Sequence, residues 1–384
     1  MTITAPPRPT TPPPPPPRHR RSPRRARWIV AALVALMIWP SVSYTQALAY
    51  PGNASFTVRT VEWVRDNGGG GLVDLIENYW YAQGPSARTP DPAGLPAAGA
   101  ATAPVGPAAP PAALAALPGA APVRGEGVWV AGAPSSTGAP AVYTTFVRPD
   151  AQHPSVVAGV ARIDQNLVRT QVIAGTRQPT GSAGPEGAQV PPSMRPALVA
   201  TFNSGFKMKD AHGGYFADGR TSVSLRDGAA SLVIHRDGTA TIGQWGRDVT
   251  AGPDVVAVRQ NLDLIIDNGA PVAGLDTNAG GTWGSARNQL QYTWRSGLGV
   301  DTAGNLIYVG GQDLTLATLA DALSKAGAVT AMELDIHDQM VDMFTYTHAA
   351  GGALTPTKLL PSMPGPNDRY LTPDQRDFVA VTLR

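Results

Sequence analysis

Proline decides where this chain can fold. Prolines crowd residues 5–17 and again 85–122, and no hydrophobic period survives in either tract, so both read as linkers. They leave about 260 residues, from 125 to 384, as the one stretch able to bury a large core. The chain divides into a basic Pro-rich arm at 1–27, an apolar segment at 28–50, a juxtamembrane helical segment at 51–84, a Pro/Ala-rich linker at 85–124 and a main domain at 125–384.

The net charge of +2 hides an asymmetry. Arg8, Arg18, Arg20, Arg21, Arg24, Arg25 and Arg27 lie in the arm with no acid among them, leaving the rest of the chain at −5. A basic arm suits nucleic acid, but this one runs directly into the apolar residues 28–39, which points to membrane topology instead. Two readings stand. Extended through residue 49, the segment reaches the length of a transmembrane anchor, with Trp28, Trp39 and Tyr44 as interfacial rings. Alternatively, Ala47-Leu48-Ala49 is the small-x-small pattern of a cleaved signal peptide. Either way, everything after Tyr50 is expected to be extracytoplasmic, as a single-pass membrane protein or a secreted one. The chain has no cysteine, which excludes a disulfide framework and thiol chemistry.

Residues 57–80 carry Val61, Val64, Leu72, Leu75, Ile76 and Tyr79 around Gly68–Gly71, the pattern of two short helices about a glycine hinge. They form either a stalk or a hairpin packed on the main domain, since Trp63, Tyr79, Trp80 and Tyr81 are costly to expose. In the main domain, residues 127–131, 141–147, 155–164 and 168–174 read as strands. Residues 222–225, 230–235 and 240–244 read as an antiparallel meander turned by Arg226-Asp227-Gly228 and Arg236-Asp237-Gly238. A strand–helix–strand unit follows over 306–310, 314–326 and 329–335, its helix stripe formed by Leu316, Leu319, Ala320 and Leu323. The expected class is α+β: mostly antiparallel sheets with packed helices, preceded by one transmembrane helix and the linker.

Polar residues gather at 203–215, 287–299 and 333–342. Strand alternation puts Glu333 and Asp335 on one face, about 7 Å apart, as a pair able to share acid–base work. The null is a solvated strand end. Glu333, Asp335, His337 and Asp338 also form an acidic cluster able to hold calcium or magnesium. No histidine spacing suggests zinc.

Three segments carry a family resemblance. Thr201-Phe202-Asn203-Ser204-Gly205-Phe206 resembles the Asn-Gly-x-Phe strand end of phosphodiester glycosidases. Trp294-Arg295-Ser296-Gly297-Leu298-Gly299 resembles that family's segment before a strand, and residues 314–326 with 331–335 resemble its helix and the strand ending in Leu-Asp. The similarity spans about 195–345 and departs in two places. Ser204 stands where the family has glycine, and Ile336-His337-Asp338-Gln339 replaces a glycine- and serine-rich turn whose backbone N–H groups would approach a phosphate.

The resemblance implies an extracytoplasmic hydrolase that breaks a glycosyl–phosphate bond in a cell-envelope phosphoglycan. It implies catalytic roles for Asp335 as base or nucleophile, Glu333 as its partner, Arg295 as a bidentate phosphate contact and Asn203 as an orienting group. Lys207, His212, Arg287, His337 and Gln339 are the implied substrate-binding residues. The alternative is a non-catalytic glycan- or protein-binding module on the same fold, for which Trp283, Tyr292 and Trp294 would be stacking aromatics if exposed.

Overall fold

The computed structural model describes all residues except 1–22, 53, 82–83, 97–109, 285–290 and 350. Most of the basic arm, part of the Pro/Ala-rich linker and Arg287 thus lie outside the described residues. The chain forms two compact units, Met1–Ala49 and Tyr50–Arg384. In the first, Pro23–Ala49 is a helix with Pro40 inside it. The expected transmembrane helix is not met, because no helix among the described residues is long and apolar enough to cross a membrane. Beyond Pro40 the polar residues Ser41, Ser43, Thr45 and Gln46 dilute the apolar run.

The second unit is built on three sheets whose strand pairings are all antiparallel. An eight-stranded sheet runs Val130–Ala131, Val142–Val147, Ala158–Ile163, Leu306–Leu314, Thr293–Val300, Thr330–Ile336, Leu264–Asp267, Ala270–Pro271. A five-stranded sheet runs Leu354–Lys358, Met343–His348, Leu198–Asn203, Phe378–Leu383, Val168–Ile173. Another runs Arg220–Val223, Tyr215–Ala217, Val255–Gln260, Ala230–His235, Ala240–Gln244. Alternate residues from all three, among them Phe146, Phe202, Leu232, Leu298 and Leu334, meet in one core. Trp283 and Trp294 are buried as well, so neither is a stacking platform.

The expected meander holds in part. Gly238 takes a φ of 83° and turns Ala230–His235 into Ala240–Gln244. Arg220–Val223, however, pairs with Tyr215–Ala217, and Val255–Gln260 takes the place beside Ala230–His235. The buried Gln260 side chain accounts for the difference: its Oε1 accepts from both Gly214 N–H and Arg226 N–H, satisfying backbone that a hairpin would otherwise pair.

The strand–helix–strand unit is present with one strand inserted. Leu306–Leu314 and Thr330–Ile336 each pair with Thr293–Val300, which lies between them. The helix Leu316–Lys325 opens on a capping box of Thr315 and Thr318. Its buried Leu316, Leu319 and Leu323 face the sheet, each contributing roughly 1.5–3 kcal/mol. Gly297 permits this close approach, because a Cβ there would lie 2.8 Å from Leu323 Cδ1.

Residues 50–81 pack as the hairpin reading expects at their start. Tyr50 donates to Thr176 O at 2.9 Å and lies under the Arg177 guanidinium. The helix Phe56–Val64, capped by Ser55, continues through a kink at Gly68 into Gly70–Tyr81. On that second helix Leu72, Leu75, Ile76 and Tyr79 are exposed. The linker is not wholly unstructured either. Its Leu117 N–H donates to Glu126 Oε1, its Ala121 O accepts from Arg148 Nη2, and its Ala112 O accepts from Trp129 Nε1.

Candidate active site

The strand Thr330–Ile336 ends in a break of register that decides which acid faces where. Glu333 pairs with Gly297 and Ile336 with Arg295, three steps on one strand against two on the other. This is a β-bulge. It undoes the alternation expected from sequence. Glu333 stays wholly buried and binds Arg295 Nη1 at 2.8 Å, both side chains being 0% exposed. Arg295 also donates to Leu314 O and Gln291 O. Asp335 instead reaches Arg376, Oδ2 to Nη2 at 2.6 Å.

Ser296 pins the bulge. Its hydroxyl donates to Asp335 O at 3.1 Å and accepts from Asp335 N–H at 3.2 Å. Asn203 Nδ2 donates in turn to Ser296 Oγ and to Ser204 O, while its Oδ1 accepts from Tyr308 Oη and Asp342 N–H. With its amide so engaged, Asn203 ties the strand ends together. Behind Asp335, Arg259 and Asp377 form a buried pair at 2.8 Å. Asn261 links the segments by accepting from Phe206 N–H and donating to Glu333 O and Leu334 O. Gly205 is required beside it, since a Cβ there would lie 2.9 Å from Asn261 Cγ.

Asp335 and Arg376 lie at a cavity of about 780 Å³, also lined by Lys207, Lys209, His212, His337 and Gln339. That is the size of a small-molecule site. Burial pushes the Asp335 carboxyl up to about 7, against the lowering effects of Arg376 and the Ile336 N–H. A carboxyl so poised exchanges protons near neutrality. Arg376 Nη2 also meets Gly205 O at 3.0 Å and Nη1 meets the Met340 sulfur at 3.5 Å, while Nε is buried with no hydrogen-bond partner. Burial drives the His337 imidazole down to about 3, with Arg65 and Arg295 adding to the effect, so it is neutral at physiological pH. Its φ is 74° and that of Gln339 is 68°. The turn thus keeps a backbone that glycine would adopt freely, although side chains occupy it.

The helix Phe56–Val64 borders the same cavity through Val58, Val61 and Glu62, and Glu62 binds Lys207 at 3.0 Å. One turn further, Asp66 binds Lys209 at 2.9 Å.

Residues 197–335 match the phosphodiester glycosidase family. No curated protein matches the chain. Among solved structures, the catalytic domain of zebrafish N-acetylglucosamine-1-phosphodiester alpha-N-acetylglucosaminidase, auto-inhibited by its pro-peptide, is 17% identical. That likeness covers 66% of this chain and 87% of the zebrafish domain, with a TM-score of 0.42. A hypothetical protein from Synechocystis is 15% identical over 60% of this chain and 59% of its own, with a TM-score of 0.33. A protein from Burkholderia pseudomallei described as exported is 14% identical over 59% and 74%, at 0.35. At these scores the structural likenesses carry no argument.

The matched segment holds Asp335 at its last position, with Lys207 and His212 inside it; His337 and Gln339 follow just beyond, and all five line the cavity. Arg295 and Glu333 lie apart from these five: they pair with each other in the core and do not line the cavity. Arg376 went unrecognised in the sequence because it lies outside the segment and in no motif. Its one signal is the dipeptide Arg376-Asp377, a charged step immediately before the buried strand Phe378–Leu383. Glu333 being held by Arg295, the expected acidic cluster does not close. Among the described residues, no three His, Asp or Glu side chains are gathered to hold a metal ion.

Proposed function

We propose that this protein hydrolyses the glycosyl–phosphate bond of a sugar phosphodiester, with Asp335 as general base and Arg376 as phosphate-binding residue. The observation that carries the reading is the Asp335–Arg376 pair lining the cavity, a carboxyl poised near neutrality beside a guanidinium. Ionised Asp335 accepts a proton from water as the water oxygen bonds to the anomeric carbon. The bond from that carbon to the phosphate oxygen breaks, and its electron pair leaves on a phosphate monoester. Such a leaving group needs little help from an acid. It needs cations, and Arg376 with Lys207 supplies them in a desolvated site. His337, neutral at working pH, and Gln339 offer hydrogen bonds to the sugar.

We assign the substrate to an extracytoplasmic phosphoglycan. Supporting this, the arginine-rich arm precedes the apolar run, and the boundary between the two compact units falls directly after Ala47-Leu48-Ala49, the cleavage pattern. N-terminal sequencing of exported protein beginning at Tyr50 would support that assignment, and a chain retained intact in the cytosol would refute it.

The test of the reaction is hydrolysis of a panel of sugar 1-phosphodiesters by the full chain and by Asp335→Asn, with and without calcium or magnesium. Turnover lost in the variant supports the reading. A folded protein silent across the panel favours a binding module instead.

A further inference from the structure

The cations in the cavity and beside it exceed what cleavage of one phosphodiester requires. Lys207 belongs to the reaction just described; Lys209 lines the same cavity, and Arg177 stands next to the helix that borders it. All three converge on one turn of the Phe56–Val64 helix and its continuation. Lys207 binds Glu62 at 3.0 Å and Lys209 binds Asp66 at 2.9 Å. Arg177 lies 3.9 Å from both carboxylates. Glu62 and Asp66 are four residues apart, so their carboxylates project from one helix face about 6 Å apart.

The chemistry of this arrangement is a row of two anions laid on three cations. Its strength matters as much as its sign. The Lys209 and Asp66 side chains are 56% and 37% exposed, and pairs so exposed contribute about 1 kcal/mol or less and weaken with salt. Tyr50 and the turn at residues 50–54, where Arg59 donates to Tyr50 O, Gly52 O and Ala54 O, tether the segment at its start. Asp66 is therefore held close to its cations but loosely, while the Glu62–Lys207 pair, with side chains 12% and 16% exposed, is the firmer contact. A polyanion with the same spacing, bound through the stronger Arg–phosphate and Lys–phosphate hydrogen bonds, displaces the acidic turn.

Resting on the proposed reaction, we infer that the substrate is a chain of successive sugar phosphodiesters, not an isolated one. One phosphate lies at Arg376 and Lys207 beside Asp335. A neighbouring phosphate lies at Lys209 and Arg177, in the place now taken by the acidic turn. The site thus selects polymers, and residues 56–66 must lift for them to enter.

Two measurements on the full chain test this. The first is hydrogen exchange of the backbone amides of residues 56–66, with long-chain inorganic polyphosphate against sulfate at matched ionic strength; being local, it is blind to polyphosphate bound on the arginine-rich arm. Polyphosphate should speed exchange there about tenfold, with the half-effect at about tenfold higher polyphosphate in Arg177→Ala/Lys209→Ala, as expected for losing a charged hydrogen bond. Equal exchange in polyphosphate and sulfate overturns the inference. The second is the ratio of kcat/KM for a synthetic oligomer of glucosyl phosphodiester units to that for its monomeric methyl diester. The double variant should lower that ratio about tenfold, and an unchanged ratio overturns the inference while leaving the reaction itself standing. Loss of turnover on the monomer in Asp335→Asn reads the reaction separately.

Discussion

Two ion pairs hang from the same strand end, and they differ in what surrounds them. Arg295–Glu333 is sealed on all sides, whereas Arg376–Asp335, two residues along, opens on a cavity. Both are acid and arginine at hydrogen-bond distance. Sequence alternation places both acids on one face, so nothing in the letters separates them. A single bulged residue does. The lesson is that burial on every side converts a charge pair into scaffold, while burial with one open side leaves it able to do chemistry.

The comparison breaks first at Asp335. Asp335→Asn should lower kcat on a sugar phosphodiester by about 10³–10⁴, with circular dichroism unchanged; equal loss of fold would make this pair scaffold too. Next is the sealed pair. Arg295→Ala or Glu333→Ala should destabilise by about 3–5 kcal/mol, read by urea denaturation, because each strands a buried charge. An Arg295→Met/Glu333→Leu double variant that folds should still turn over substrate. A folded but inactive double variant would return Arg295 to the chemistry.

Arg376→Ala should cost about 10² in kcat/KM, and more for substrates with poorer leaving groups. The pH dependence sharpens the contrast further. If Asp335 is the base, kcat/KM rises with pH to a plateau with an inflection near 7, and Arg376→Met moves that inflection upward by removing the nearest cation. Stability follows the opposite sign. The folded Asp335 keeps a proton that the unfolded chain has released between about pH 4 and 7, so its contribution to folding declines as pH rises through that window. In Asp335→Asn that part of the stability–pH slope should vanish. The smallest effect is Ser296→Ala, which should cost about 1 kcal/mol and shift the kinetic inflection, since Ser296 fixes both backbone groups of Asp335.

What was legible in the sequence follows physical period. Alternation marked most strands, Asp237-Gly238 marked a hairpin, and the Leu316–Leu319–Leu323 stripe marked the helix. The family segments pointed to Asp335, Lys207 and His337. The bulge was not legible, because period two carries no sign of an inserted residue. Arg376 was not legible, because its role depends on strand pairing with a distant segment. The burial of Arg295 was not legible for a related reason: an arginine in a strand next to polar residues looks the same whether its partner is a phosphate or a buried glutamate. Where the glycine turn is missing, His337 and Gln339 nonetheless take the positive φ that glycine favours, which their letters do not suggest.

The pairing of Phe378 with Asn203 joins residues 175 positions apart, and it has a kinetic consequence. Asn203, Ser296, Asp335 and Arg376 come from four separate stretches of chain and meet only when the central strands of two sheets have found each other. Local hairpins form in microseconds, while closures over such separations are slow. Recovery of activity on refolding from denaturant should therefore trail the return of secondary structure, making turnover a clock for the last step of assembly.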